Sequence, residues 1–371
     1  MVDFCKKCLM PDTRPRIVFD NDGVCNACHT AAGKSAIDWD ARRAEFLQIV
    51  EENRPADGPY DCIVPWSGGK DSSSIAYRLK FEFGLNPLLV TFSPLMPNAI
   101  ADHNREALIA LGFDHIMVRP NSKVSRRLSR RFFIERGDPK IHWNAGVNAG
   151  PVQVAVNYKI PLVFYAEHGE SEYGGRLLSP EHAKIRDLAE VLEHQIGDDP
   201  FNWMDEEIEE HDLAPYLYPD VSTVEEVGVK SMYFSYFFRW SMLDNWNFIK
   251  DKFDFWTAEG GRTNGSFTNF DSLDDKIDNL YYHMQFVKFG FGRATRDACR
   301  MIQNGQMTRE EGLDLAKRYD DEYPKTYHDD HLEFLDLTEA EYAEIIDKHR
   351  DPEIWSFEGN AWRLKHLPWE K

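Results

Sequence analysis

The sequence predicts an α/β protein built on a parallel sheet, preceded by a small cysteine-rich unit and followed by a mostly helical part. Three observations carry this expectation. Apolar runs alternate with helical patterns from residue 61 to 118, two Cys-x-x-Cys pairs stand within the first 28 positions, and helix-start signatures mark the last third.

The cysteines come first. Cys5-x-x-Cys8 and Cys25-x-x-Cys28 are separated by sixteen residues, a spacing that suits a four-thiolate zinc site. Each short pair lets two thiolates reach one tetrahedral ion, and a closed set of four leaves no open position for catalysis. Between the pairs, Arg16–Gly23 reads as a strand ending in an Asp-Gly turn, so residues 1–37 resemble a zinc ribbon. Disulfides are the poorer reading for a chain expected in the cytoplasm. His29 could replace one thiolate, but a solvated neighbour is the simpler reading. Cys62 and Cys299 read as small buried apolar residues. Gly23-Val24-Cys25-Asn26-Ala27 lacks the final glycine of a Gly-x-Cys-x-Gly glutaminase elbow, so no internal glutaminase is expected.

Asp38 can cap a helix over 39–53, with Phe46, Ile49 and Val50 on one face. Pro55-Ala56-Asp57-Gly58-Pro59 breaks the chain and closes a helix-and-linker segment, 38–59. A nucleotide-binding domain is expected over 60–200. It has strands near 61–66, 88–92, 115–118 and 161–166, with helices near 71–83 and 99–111 between the first three. Residues at the carboxyl ends of such strands face a common cleft.

At the end of the first strand stands Ser67-Gly68-Gly69-Lys70-Asp71-Ser72. Two glycines allow a tight turn, the following helix opens with unpaired N–H groups, and Lys70 adds a point charge, which together suit a pyrophosphate. Hydroxyls at 67, 72, 73 and 74 can add donors. It is not a Walker loop, which has four residues between its first Gly and its Gly-Lys pair. The bland alternative is a glycine turn capped by serine. After the strand at 161–166 comes Glu167-His168-Gly169-Glu170-Ser171-Glu172-Tyr173-Gly174-Gly175, a second wall for the same cleft. Glu170 or Glu172, with Asp71, could hold magnesium on ATP phosphates.

Residues 201–371 read as mostly helical. Thr308-Arg309-Glu310-Glu311 and Thr338-Glu339-Ala340-Glu341 are capping boxes. Two glycines break a helical pattern at Lys288–Asp297, which calls for a packing or functional reason. Arg126, Arg127, Arg130 and Arg131 read as a solvated helix face, with an anionic ligand or partner as the alternative, and 205–210 as a solvated acidic run.

Composition bounds the function. The 371 residues carry 43 Lys plus Arg against 63 Asp plus Glu, a formal net charge of −20, which argues against a broad nucleic-acid surface. No stretch approaches the roughly 20 apolar residues of a membrane span. Residues 1–5 lack the character of a signal peptide, so a cytoplasmic protein is expected.

The Ser-Gly-Gly-x-Asp-Ser stretch resembles the PP-loop of the ATP pyrophosphatase superfamily, whose members split ATP to AMP and pyrophosphate to activate a carbonyl oxygen. In that superfamily the end of the second strand, here Thr91 and Phe92, commonly holds adenine through its backbone; Phe92 as plain core is an equal alternative. Together with the Cys-x-x-Cys ribbon, Gly169–Gly175, Lys288–Asp297 and Thr308–Gly312, the chain is similar over most of its length to the N-acetyl sugar amidotransferases. These serve bacterial O-antigen and nonulosonic acid biosynthesis. The resemblance implies adenylation of the acetamido oxygen of an N-acetylated nucleotide sugar, then displacement of AMP by ammonia from a separate glutaminase subunit. It implies ATP across Ser67–Ser72, catalytic roles for Lys70, Asp71, Glu170 and Glu172, and substrate contacts from Lys288 and Arg293, which a structural salt bridge would explain as well. A PP-loop tRNA thiolase is the rival enzyme, and a zinc-ribbon interaction protein the rival outside enzymes.

Overall fold

The computed structural model describes residues 2–55, 57–175, 179–186 and 188–370. Ala56, in the expected break, lies outside the described residues.

The amino-terminal unit is a four-cysteine knuckle consistent with the expected zinc ribbon, but without a regular strand. Over 16–23 the expected strand is replaced by an isolated bridge between Phe19 and Cys25. The reason is local: Arg16 has φ 66°, and the Asp20 carboxylate accepts the amides of Asp22 and Val24 at 2.9 Å, curling the chain into a turn. Helix α1 (Asn26–Gly33) follows. Helix α2 (Trp39–Asn53) begins where Asp38 accepts the Ala41 amide at 2.9 Å and buries Phe46 and Val50.

The central sheet has five parallel strands among the described residues: β1 (Cys62–Pro65), β2 (Pro87–Phe92), β3 (Asp114–Val118), β4 (Leu162–Tyr165) and β5 (Lys230–Tyr233), in the order β3-β2-β1-β4-β5. Pairing sets Ile63 against Leu88 on one side and Val163 on the other. The order reverses direction between β1 and β4, so the crevice at their carboxyl ends is where a ligand is expected in such a sheet. The connecting helices are α3 (Lys70–Tyr77, continued by a wider turn to Glu82), α4 (Ala99–Ile109), α5 (Ser122–Arg136) and α6 (Ile141–Tyr158), with the short α7 (Gly169–Tyr173) after β4. The fifth strand lies beyond residue 200, so the sheet reaches past the boundary expected from sequence.

Helices start at both capping boxes, Arg309–Tyr319 and Glu339–Lys348. The glycine break has a packing cause: the helix Asp278–Phe289 ends at Gly290, and a Cβ on Gly292 would lie 2.6 Å from the Asp320 carbonyl. The knuckle is bedded on these helices, with Leu9 and Met10 buried beside Phe291, Ala298 and Ala316.

The arginine face of α5 is not simply solvated. Arg126 donates to the Phe334 carbonyl at 2.5 Å and Arg130 to the Leu335 carbonyl at 2.9 Å, so both serve the last carbonyls of the helix His328–Leu335. Arg127 pairs with Asp205 at 3.2 Å, which gives the acidic run a partner.

Candidate functional site

The Gly-Gly turn sits at the switch point, between the end of β1 and the start of α3. Gly68 takes φ 91°, and a Cβ there would lie 2.9 Å from Cγ of Arg105, so the position favours glycine twice over. Ser67 braces the turn, its Oγ accepting the Gly69 amide at 3.1 Å. The first N–H groups of α3 have no partner inside the helix. Of the four hydroxyls, Ser73 faces inward and accepts the Trp66 indole N–H at 2.9 Å. Ser74 is buried as well, whereas Ser67 and Ser72 line the cleft.

Lys70 is buried and held between two carboxylates, Asp71 at 2.8 Å and Asp271. Burial would lower its pKa, but Asp271 and Asp71 overcome this and hold the ammonium above its ordinary value. Burial likewise would raise Asp271, yet Lys70, Arg293 and Arg296 hold it well below the usual carboxylate range. Asn245 donates to the other oxygen of Asp71 at 2.8 Å.

Around this core lies a cleft of about 430 Å³, within the range of small-molecule sites. Phe92, Trp143, Val147 and Tyr165 form an apolar wall, and Glu167 and Asp274 add carboxylates. Burial and the Asp71 charge raise Glu167, which also accepts the Tyr173 hydroxyl. Burial, then Asp278, pushes Asp274 up to about 7. An N–H-rich turn, a fixed cation and several carboxylates beside an apolar wall can hold a nucleotide triphosphate and its divalent cation.

Several residues chosen from sequence stand elsewhere. Glu170 pairs with Arg16, and Glu172 pairs with Lys34 at 2.5 Å, so both carboxylates turn toward the knuckle and away from Asp71. The cause is α7, which His168 caps by accepting the Glu170 amide at 3.2 Å. Of the three glutamates, Glu167, two residues past the end of β4, is the one that reaches the cleft. Thr91 anchors the loop instead of lining the cleft, donating to the Trp66 carbonyl and bonding His115 at 2.8 Å. Phe92 does line it, with its ring against Gly146, where a Cβ would sit inside the ring. Lys288 donates to the Arg136 carbonyl at 2.8 Å, a structural contact. Arg293 is buried and donates to the Asp271 carbonyl at 2.6 Å, so it supports the partner of Lys70 from behind.

The four paired thiols converge. Sγ of Cys5 lies 3.9 Å from that of Cys28, Cys8 lies 3.7 Å from Cys25, and all four sit within 4.8 Å of one another. A tetrahedral ion at a metal–sulfur distance of about 2.3 Å requires sulfurs about 3.8 Å apart, so the set fits one ion. Amides of Cys8 and Cys25 donate to Cys5 Sγ at 3.4 and 3.3 Å. His29 stays outside, paired with Asp20 at 2.6 Å. Cys299 is buried against the set and accepts the Leu9 amide at 3.3 Å.

Comparisons with known proteins bear on this arrangement. Residues 264–367 match the family model of the C-terminal domain of WbpG-like lipopolysaccharide biosynthesis proteins. An uncharacterised protein of Methanocaldococcus jannaschii is 31% identical over 87 residues, which are 23% of this chain and 31% of that protein, so the chain spans about a third of that relative's length. Among solved structures, a predicted subunit of a tRNA methyltransferase from M. jannaschii is 18% identical over 45% of this chain and 74% of its own, at a TM-score of 0.23. The U34-tRNA thiolase NcsA of Methanococcus maripaludis, solved with its [4Fe-4S] cluster, is 11% identical over 82% of this chain and 87% of its own, at a TM-score of 0.30. No helix among the described residues is long and apolar enough to cross a membrane.

Proposed function

From a chain that is WbpG-like over residues 264–367, we propose an ATP-dependent, AMP-forming amidotransferase acting on an N-acetylated sugar in lipopolysaccharide or related surface-sugar biosynthesis. One observation carries the reading: Asp271, within the WbpG-like segment, grips Lys70 of the Gly-Gly loop. The lipopolysaccharide-type domain and the phosphate-binding turn therefore share a single cleft.

In the proposed reaction the acetamido oxygen attacks the α-phosphorus of ATP, the bond to the β-phosphate oxygen breaks, and pyrophosphate leaves. Ammonia then adds to the imidate carbon and AMP departs with the former amide oxygen, leaving an acetamidino group. Adenylation is needed because an amide oxygen is a poor leaving group. The amides of the turn and Lys70 stabilise charge on the leaving phosphates. Asp71 and Glu167 would hold magnesium, which would neutralise phosphate charge when bound. Asp274, raised toward neutrality, is suited to accept the proton that ammonia releases. The ammonia comes from a dissociable glutaminase, and the four thiolates hold a structural zinc ion.

Thiolation through a cysteine persulfide would need a cysteine in the cleft, whereas Cys62 is buried in β1 and Cys299 beside the thiol set. The test is to incubate the protein with ATP, magnesium, ammonium and a panel of N-acetylated nucleotide sugars, with tRNA as a separate acceptor. AMP release with a sugar whose mass changes by exchange of O for NH supports the reading. AMP release with tRNA alone overturns it.

A further inference from the structure

A second cavity, of about 470 Å³, lies beside the nucleotide cleft, with Gly169 on the wall of both. Its remaining wall comes partly from the knuckle, which contributes Arg14 and Arg16, and partly from Asn144 and Gln285, on α6 and the helix Asp278–Phe289.

Arg14 is the telling residue. Its Nε–H is buried without an acceptor, and its guanidinium joins no ion pair among the described residues. Burial, then the like charges of Arg300 and Arg296, lower its pKa to about 10 against smaller opposing effects of Cys299 and Tyr173. Arg300 lies over the Tyr173 ring at 3.7 Å and also keeps a buried Nε–H without an acceptor. Arg14 is half-buried, and a partly desolvated guanidinium beside other guanidinium groups is costly unless an anion joins it. Two carboxyl groups border the cavity, and neither supplies that anion. Glu170 is paired to Arg16. Asp138 accepts the Lys140 amide at 2.8 Å, and burial raises its pKa.

Arg16 adds an independent sign. A non-glycine residue at φ 66° is strained, and strain of this kind gathers at ligand-holding segments. Here it accompanies the ion pair that sets Arg16 on the cavity wall.

We propose that this cavity is an anion subsite, in which Arg14 and Arg16 take a phosphoryl or carboxylate group of the acceptor while its reacting group lies past Gly169 in the nucleotide cleft. Arginine forks suit either anion, and the Asn144 and Gln285 amides suit hydroxyl groups on the same molecule. The subsite rests on the amidotransferase reading only for the statement that its ligand is the acceptor. It also gives the metal knuckle a task, since the turn between the two cysteine pairs carries both arginines.

The test titrates the full-length, zinc-loaded protein calorimetrically with UDP-N-acetylglucosamine and with glucuronic acid, the loop being saturated with a non-hydrolysable ATP analogue. Binding of the first alone assigns the anion to a diphosphate; binding of the second assigns it to a carboxylate. Arg14→Gln should weaken whichever probe binds by about tenfold or more, leave affinity for the ATP analogue unchanged, and melt no lower than wild type because it removes an uncompensated charge. Equal probe affinity in R14Q, absence of binding of both probes to wild type, or a lower melting temperature for R14Q overturns the subsite. Arg14-dependent binding without AMP formation from any sugar would leave the subsite standing and remove the adenylation reading.

Discussion

Replacing Asp271 by Asn removes one of the two carboxylates that hold Lys70 while leaving the shape of the loop intact. Lys70 is 2% exposed, and Asp271 also faces Arg296 at 3.5 Å and Arg293 at 3.7 Å. Breaking one side of a buried ion pair costs about 3–5 kcal/mol, because the remaining charge is stranded. Asp71 stays on Lys70, and Asp297 stays beside Arg293 and Arg296, which places the loss near the lower end, about 3 kcal/mol. At about 2.1 cal/mol/K of unfolding entropy per residue, that loss over 371 residues is a fall of roughly 4 °C in melting temperature for one cooperative unit. Calorimetry on wild type, D271N, K70M and the double variant measures both the loss and the coupling, expected to exceed about 1 kcal/mol. A D271N protein that melts with wild type, or a cycle without coupling, would refute the claim that these residues join the helical part to the loop.

Other perturbations separate the site's parts. Gly68→Ala must hold a non-glycine residue at φ 91° against Arg105, a strain of about 1–2 kcal/mol; it should fold and weaken ATP binding about tenfold, checked by fluorescent-nucleotide titration. Glu167→Gln should lower the rate of AMP formation on the order of a hundredfold, whereas Glu172→Gln, paired to Lys34, should leave it near wild type. Cys25→Ser should reduce bound metal below the expected equivalent of about one per chain and lower the melting temperature, since the knuckle packs on the carboxyl-terminal helices. Asp274 has a folded pKa raised to about 7 from an ordinary value of about 3.9. Its stabilising share is therefore full below about pH 4 and lost as pH rises through about 7. Asp274→Asn should flatten that part of the melting-temperature profile between pH 4 and 8.

Much of the scaffold was legible because its signals are local. Asp38 caps α2 and the two Thr-x-x-Glu boxes start their helices, since a cap needs only neighbours in the chain. The loop and the four thiols were legible for the same reason: each is a short pattern whose chemistry is complete within a few residues. Asp271 was not, because it lies in an irregular stretch and meets a lysine 201 positions away. β5 was missed as four residues, Lys-Ser-Met-Tyr, with little apolar character until they pair with β4. The choice among Glu167, Glu170 and Glu172 depended on the start of α7, and a short helix capped by His168 turned the second and third toward the knuckle. Arg14 gave no signal in sequence, since what distinguishes it is a buried Nε–H that finds no acceptor in the fold.

The central claim is that the loop activates a sugar amide through its oxygen. The most direct measurement labels the acetamido oxygen of an accepted N-acetyl sugar with a heavy isotope and follows it by mass spectrometry after reaction with ATP and ammonium. The label is predicted to appear in the phosphate of AMP, with none in pyrophosphate or water. Label retained in the sugar product, or released to water while AMP stays unlabelled, would contradict the account.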